Sequence, residues 1–241
     1  MSKQIDLILK EVLKRINPPK EDSKFIKESL KEFKEKLERK IKEKRIDAIV
    51  FVGGSFAKGT LIKKKDYDID IFIRFNIKYK NENLSKMTES LLKDINYSII
   101  HGSRDYFKIK IRNDIFLEIV PVLEVKNPKE AQNITDLSYF HVKYIKQNIT
   151  DKISDDIKLA KVFCHANNSY GAESYINGFS GYALELLIYY YKSFSKFIGV
   201  VSKMKQREII DIDKLHKDKR SVMLDMNSAK LKSPIILVDP T

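Results

Sequence analysis

Apolar residues recur at Ile5, Ile8, Val12 and Ile16, the three-to-four spacing of one helix face. Asn17-Pro18-Pro19 ends that run, because proline lacks an amide donor and restrains its predecessor. A second helix is predicted over 21–45, with Phe25, Ile26, Leu30, Phe33, Leu37 and Ile41 in one stripe and Lys and Glu opposite. The period then changes. DAIVFV (47–52) is a short apolar run of buried-strand type, and DIDIFIRF (68–75) alternates as a strand does. Residues 105–125 read as two strands about a turn at Asn113–Asp114, and 84–94 as a helix. From about 136 the pattern is helical again, over 138–149, 154–167 and 180–198, parted by NNSYG and NGFSG. Ser180 is a suitable N-cap for the last. Residues 213–233 are polar and read as irregular; an apolar PIILV follows. The prediction is an α+β chain without internal repeats. A mixed-sheet head with an N-terminal helix pair spans 1–135, and a mainly helical domain spans 136–241.

Composition adds a partner class. The 241 residues carry a net charge of +13, with 12 Tyr and 13 Phe. A basic, tyrosine-rich chain suits a polyanion such as nucleic acid, although a genome rich in A and T also inflates Lys, Ile and Asn. Cys164 is the sole cysteine, which excludes an intrachain disulfide. No signal-type or membrane-length apolar run is present, so the expectation is a cytoplasmic protein with no membrane partner, and the Asn-x-Ser/Thr triplets at Asn133, Asn148 and Asn167 read as chance.

The alternation in 68–75 places Asp68 and Asp70 on one face, with Ile69 and Ile71 on the other. Same-face neighbours on a strand lie roughly 6–7 Å apart. Two carboxylates so close repel unless a cation neutralises them. Hard oxygen donors with little His or Cys nearby suit magnesium. Glu118, between Leu117 and Ile119, is a third acid in a strand pattern, and completes a triad if its strand lies beside 68–75. Three carboxylates holding two metal ions is an arrangement for in-line phosphoryl transfer. Acids facing solvent on an open sheet would give the same local pattern. GGSFAKG (53–59) bears on the choice: a glycine turn entering a helix exposes amides that favour phosphate, Ser55 adds a hydroxyl, and Lys58 adds a positive charge. Twelve residues separate Gly54–Ser55 from Asp68-Ile69-Asp70.

That glycine-serine loop, spacing and acid pair resemble the signature of the polymerase-beta-like nucleotidyltransferase superfamily. LSYFHVKYI (137–145), DDIKLAKVFCHANNSYGAES (155–174) and NGFSGYALELLIYYYKSF (177–194) further resemble the central region of archaeal, class I CCA-adding enzymes. The resemblance covers essentially the whole chain in order. It implies a catalytic head followed by a helical domain contributing to nucleotide binding, and magnesium-dependent addition of CMP and AMP from CTP and ATP to the tRNA 3′ end. By motif it implies that Asp68, Asp70 and Glu118 are the catalytic carboxylates holding two Mg²⁺. It likewise implies that Gly54, Ser55 and Lys58 are phosphate contacts, that His141 lies near the triphosphate, and that Lys161 and Tyr170 are nucleotide-binding positions. Each of the last three has a plain reading: a half-buried histidine, a solvated lysine, a tyrosine covering a helix end.

Lys58 stands where the family usually has Arg, losing a bidentate phosphate contact, and Glu118 stands where Asp is common. In the family, an Asp-Pro stretch like Asp239-Pro240 leads into an Arg-Asn segment and a large C-terminal part that grips tRNA. The expectation is therefore a piece of a longer enzyme, a split enzyme whose partner chain supplies the tail, or a relative with a non-tRNA acceptor. A non-catalytic RNA-binding subunit is a further alternative.

Overall fold

The computed structural model describes residues 3–102, 104–173, 175–226 and 233–241. The chain divides into two compact units, Glu11–Gln147 and Met1–Lys10 with Asn148–Thr241. It opens with α1 (Lys3–Ile16) and α2 (Lys20–Glu43), and Pro19 sits immediately before α2, where its missing amide costs nothing.

In the first unit a five-stranded mixed sheet comprises β1 (Ala48–Val52), β2 (Tyr67–Asn76), β3 (Ser98–Ile100), β4 (Tyr106–Arg112) and β5 (Ile115–Glu124). Its order is β1-β2-β5-β4-β3, with β2 and β5 parallel and the other pairs antiparallel. The short helices α3 (Gly54–Ala57) and α4 (Leu84–Leu91) and the longer α5 (Ser138–Asn148) complete the unit. Tyr67, Ile69, Ile71, Ile73 and Phe75 of β2 and Ile115, Leu117 and Ile119 of β5 face Ile26, Leu30, Leu37 and Ile41 of α2 in one core. Strand alternation thereby turns the even-numbered positions of β2 and β5 to the opposite face. The predicted Asn113–Asp114 turn joins β4 to β5, and Arg112 pairs with both Asp114 and Asp22 at 2.6 Å, tying the hairpin to α2. The edge strand β3 is too short for alternation to reveal.

The second unit contains α6 (Asp151–Ala166), α7 (Gly181–Tyr191), α8 (Phe194–Val201) and α9 (Lys219–Asp225), with β6 (Glu208–Ile210) paired in parallel to β7 (Ile235–Leu237). Leu184, Leu186, Leu187 and Ile188 are all buried, and so is Glu185 between them, so α7 is buried on every side and central to its unit. Ser180 caps α7, its hydroxyl accepting from the Ala183 amide at 3.1 Å. Two expectations change here. The single helix predicted over 180–198 is two helices: Lys192 takes a left-handed φ of 65°, and Ser193 caps the next helix through the Lys196 amide. Within the stretch read as irregular, Asp218 and Ser221 form a capping box that starts α9. Residues 227–232 of that stretch lie outside the described residues. The apolar PIILV supplies β7. Among the described residues no helix is long and apolar enough to cross a membrane.

Candidate active site

Parallel pairing of β2 with β5 sets Asp70 directly opposite Glu118, and Asp68 opposite Phe116. The three acids share the face turned away from α2. Desolvation is the main reason the Asp70 carboxyl is pushed up from 3.8 to about 6; Lys58 opposes this and the negative charge of Asp68 adds to it. Glu118 is pushed from 4.5 to about 7, by desolvation first and then by Asp68 and Asp70. A cluster that resists its own ionisation calls for a cation.

The glycine turn closes on this strand. The Gly53 amide donates to the Asp70 carbonyl at 2.9 Å. Gly54 adopts φ +62°, and a Cβ there would stand 1.7 Å from Asp70 Oδ2. Only glycine allows both the backbone conformation and the approach. Ser55 follows at once in α3, and Lys58 is the residue after it, close enough to stabilise the Asp70 charge. Gly54→Ala is expected to cut nucleotide transfer more than tenfold and to cost about 1–3 kcal/mol of stability. Steady-state assay and thermal melting check this.

A cavity of about 230 Å³ beside the acids is lined by Asp70, Phe72, Arg104, Tyr106, Glu118, Thr135 and Ser138, among others. His141 is half-buried on α5, one turn after Ser138. Sequence reasoning missed Arg104, Tyr106 and Lys108. Arg104 forks onto Asp136 at 2.6 and 3.0 Å and donates to the Pro121 carbonyl of β5 at 3.2 Å. Asp136 also accepts amides from Leu123, Gln132 and Asn133, so it fixes the wall of the cavity. The sequence signal for this wall is the Asn133–Asp136 capping box, which overlaps the Asn-x-Thr triplet at Asn133.

Lys161 and Tyr170 belong to the second unit. Lys161 is 3% exposed, with its ammonium 2.8 Å from Glu185 Oε1, rather than solvated on a helix surface. Tyr170 stacks on His165 with ring centroids 3.9 Å apart. Both stand beside Gly181, where a Cβ would meet the Tyr170 hydroxyl at 2.7 Å and Lys161 Cε at 3.8 Å.

All-oxygen donors, with two carboxyls held above their ordinary range, fit a hard divalent ion in chemistry. Among the described residues, however, no three acidic, His or Cys side chains close on a single point as they stand. The Lys108 ammonium lies 2.6 Å from Asp68 and 3.4 Å from Glu118.

Residues 1–139 match the family described as Second Messenger Oligonucleotide or Dinucleotide Synthetase domain, and 155–241 the tRNA nucleotidyltransferase, second domain. The CCA-adding enzyme of Nanoarchaeum equitans is 44% identical over 193 residues, 79% of this chain and 48% of its own length. That of Sulfurisphaera tokodaii is 33% identical over 237 residues, 97% of this chain and 52% of its own. The chain thus spans about half the length of the curated relatives it matches. Among solved structures, CdnC of E. coli MS115-1 with ATP superposes with a TM-score of 0.61 at 17% identity, covering 83% of this chain and 73% of that one. A cytoplasmic RNA terminal U-transferase gives 0.57 at 16%, covering 79% and 53%. These two share the fold. The fold, the acid-bearing sheet and the match over residues 1–139 lead to one assignment: the chain belongs, through its head, to the Second Messenger Oligonucleotide or Dinucleotide Synthetase domain family, and along nearly its whole sequence it is similar to the archaeal CCA-adding enzymes.

Proposed function

We propose that this chain is the catalytic part of an enzyme that adds CMP and AMP, from CTP and ATP, to the 3′ end of tRNA without a template. The observation that carries the reading is the register that sets Asp70 against Glu118, with Asp68 two residues away on the same face. In the proposed mechanism Asp68, Asp70 and Glu118 would hold two magnesium ions. Bound there, such ions supply Lewis acidity that activates the acceptor hydroxyl and offsets charge on the departing pyrophosphate. The protein's own part is positioning. Amides of the Gly53–Gly54 turn, the Ser55 hydroxyl and the Lys58 ammonium bind triphosphate oxygens. His141 adds a contact near the triphosphate, and Lys161 and Tyr170 are the nucleotide-binding positions that the resemblance implies within the second unit. The 3′-hydroxyl oxygen of the tRNA forms the new bond to the α-phosphorus as the bond to pyrophosphate breaks. The glycine turn and the acid strand face each other so that nucleotide and acceptor are held in line.

The test incubates the protein with tRNA lacking its terminal CCA, labelled CTP or ATP and magnesium. Labelled tRNA extended by up to three nucleotides is expected, and none in chelator. Label in short oligonucleotides or other products independent of tRNA would overturn the acceptor and leave the chemistry standing.

A further inference from the structure

Lys108 has no part in the mechanism above, yet its ammonium is ion-paired with two of the three acids, Asp68 and Glu118. It sits on β4 opposite Glu118, and Asp70 sits opposite the same glutamate on β2, so lysine and aspartate flank Glu118 from either side. From there the side chain reaches past β5 to Asp68 on the far strand, with its ammonium 4.7 Å from the centre of the Phe116 ring. Phe116 is the β5 residue paired with Asp68, so its ring supports the lysine along the route to that carboxylate. The side chain is only 25% exposed, and Glu118 18%. This is an ion-pair network partly withdrawn from water, and such pairs are screened less than surface ones.

The geometry points to Lys108 as a built-in counter-cation of the catalytic acids, which a divalent ion must displace in order to bind. The inference rests on the carboxylates being the metal site. Two consequences follow from electrostatics. Without metal, the ammonium offsets the repulsion of acids that would otherwise face one another uncompensated. With metal, an ammonium left at 2.6 Å from Asp68 would compete for the same oxygens and repel the ion. Metal affinity is therefore set below what three carboxylates alone would give, and the site fills only when the ion, with its triphosphate, outweighs the lysine. Lys110, two residues along the same strand face and exposed, forms no ion pair with the acids among the described residues, which makes it the control for general charge.

The experiment measures Mn²⁺ binding to the full chain, using MnCl₂ alone, by loss of the free-ion electron paramagnetic resonance signal. It compares wild type with Lys108→Met, Lys108→Gln, Lys110→Met and Asp70→Asn, and follows thermal melting in chelator. Both Lys108 variants are expected to bind Mn²⁺ about fivefold more tightly and to melt about 2–4 °C lower in chelator. At saturating Mn²⁺ that melting difference closes. Lys110→Met leaves Mn²⁺ affinity within twofold of wild type. Unchanged affinity in both Lys108 variants, while Asp70→Asn abolishes Mn²⁺ binding, overturns the counter-cation role and leaves the carboxylate site intact. Mn²⁺ binding that survives Asp70→Asn at wild-type strength overturns the carboxylate reading itself, and the inference with it.

Discussion

Asp70→Asn is expected to lower nucleotide transfer by about a thousandfold or more and, in chelator at pH 8, to raise the melting temperature. The two effects have one cause. Desolvation pushes the Asp70 carboxyl from 3.8 to about 6, so the folded protein holds a proton there over a range in which the unfolded chain has lost it. A folded state that binds more protons loses stability as pH rises. The loss runs from about pH 4 to pH 6 for Asp70 and up to about pH 7 for Glu118, and above those values the full penalty remains. For Asp70 it amounts to about 2–3 kcal/mol. Asparagine keeps the shape and removes the charge, so the variant gains in chelator above pH 6 and gains nothing near pH 4. Saturating metal reverses the order, because ligand binding stabilises only the protein that still binds it. Melting curves from pH 4 to 8, with chelator and with Mg²⁺, read this directly. A variant less stable than wild type at pH 8 in chelator would show that Asp70 is compensated by the protein itself.

The acids were legible because the sequence period exposes them. Asp68 and Asp70 fall two apart in an alternating run, and alternation alone assigns their face. Glu118 required a condition, that its strand lie beside β2, and the parallel pairing meets it. Lys108 was not legible. It reaches Asp68 from forty residues away because β5 lies between their strands, and no local pattern encodes that register. Arg104 and Asp136 are the same case at a separation of 32 residues. In the second unit α6 and α7 were legible, but α9 and the break at Lys192 were not. The apolar pattern runs on through it, while the left-handed turn depends on a single residue whose type does not favour it. The pairing of β6 with β7 also escaped, since three-residue strands are fixed by their surroundings rather than by propensity.

Lys161 was expected either in solvent or against a nucleotide, and neither reading anticipates a side chain 4% exposed beside a glutamate at 0%. Glu185→Ala would leave a buried ammonium without this carboxylate, and removing one partner of a buried pair costs about 3–5 kcal/mol. A melting temperature lower by about 10 °C is expected. Replacing both partners, Lys161→Met with Glu185→Leu, removes the charges together, and such exchanges are often neutral or stabilising. The double variant should therefore melt close to wild type. That separates two roles a single substitution would merge. If the lysine also binds the nucleotide, as the family resemblance implies, and does so through a phosphate, the stable double variant has a KM for CTP raised about tenfold or more, since a charge-assisted contact to phosphate is worth about 1.5–3 kcal/mol. If the pair serves only to brace α6 against α7, KM is unchanged and the effect of Glu185→Ala is confined to stability. Tyr170, beside the same Gly181, gives an internal comparison: Tyr170→Phe keeps the stack on His165, so a rise in KM there isolates its hydroxyl from its ring.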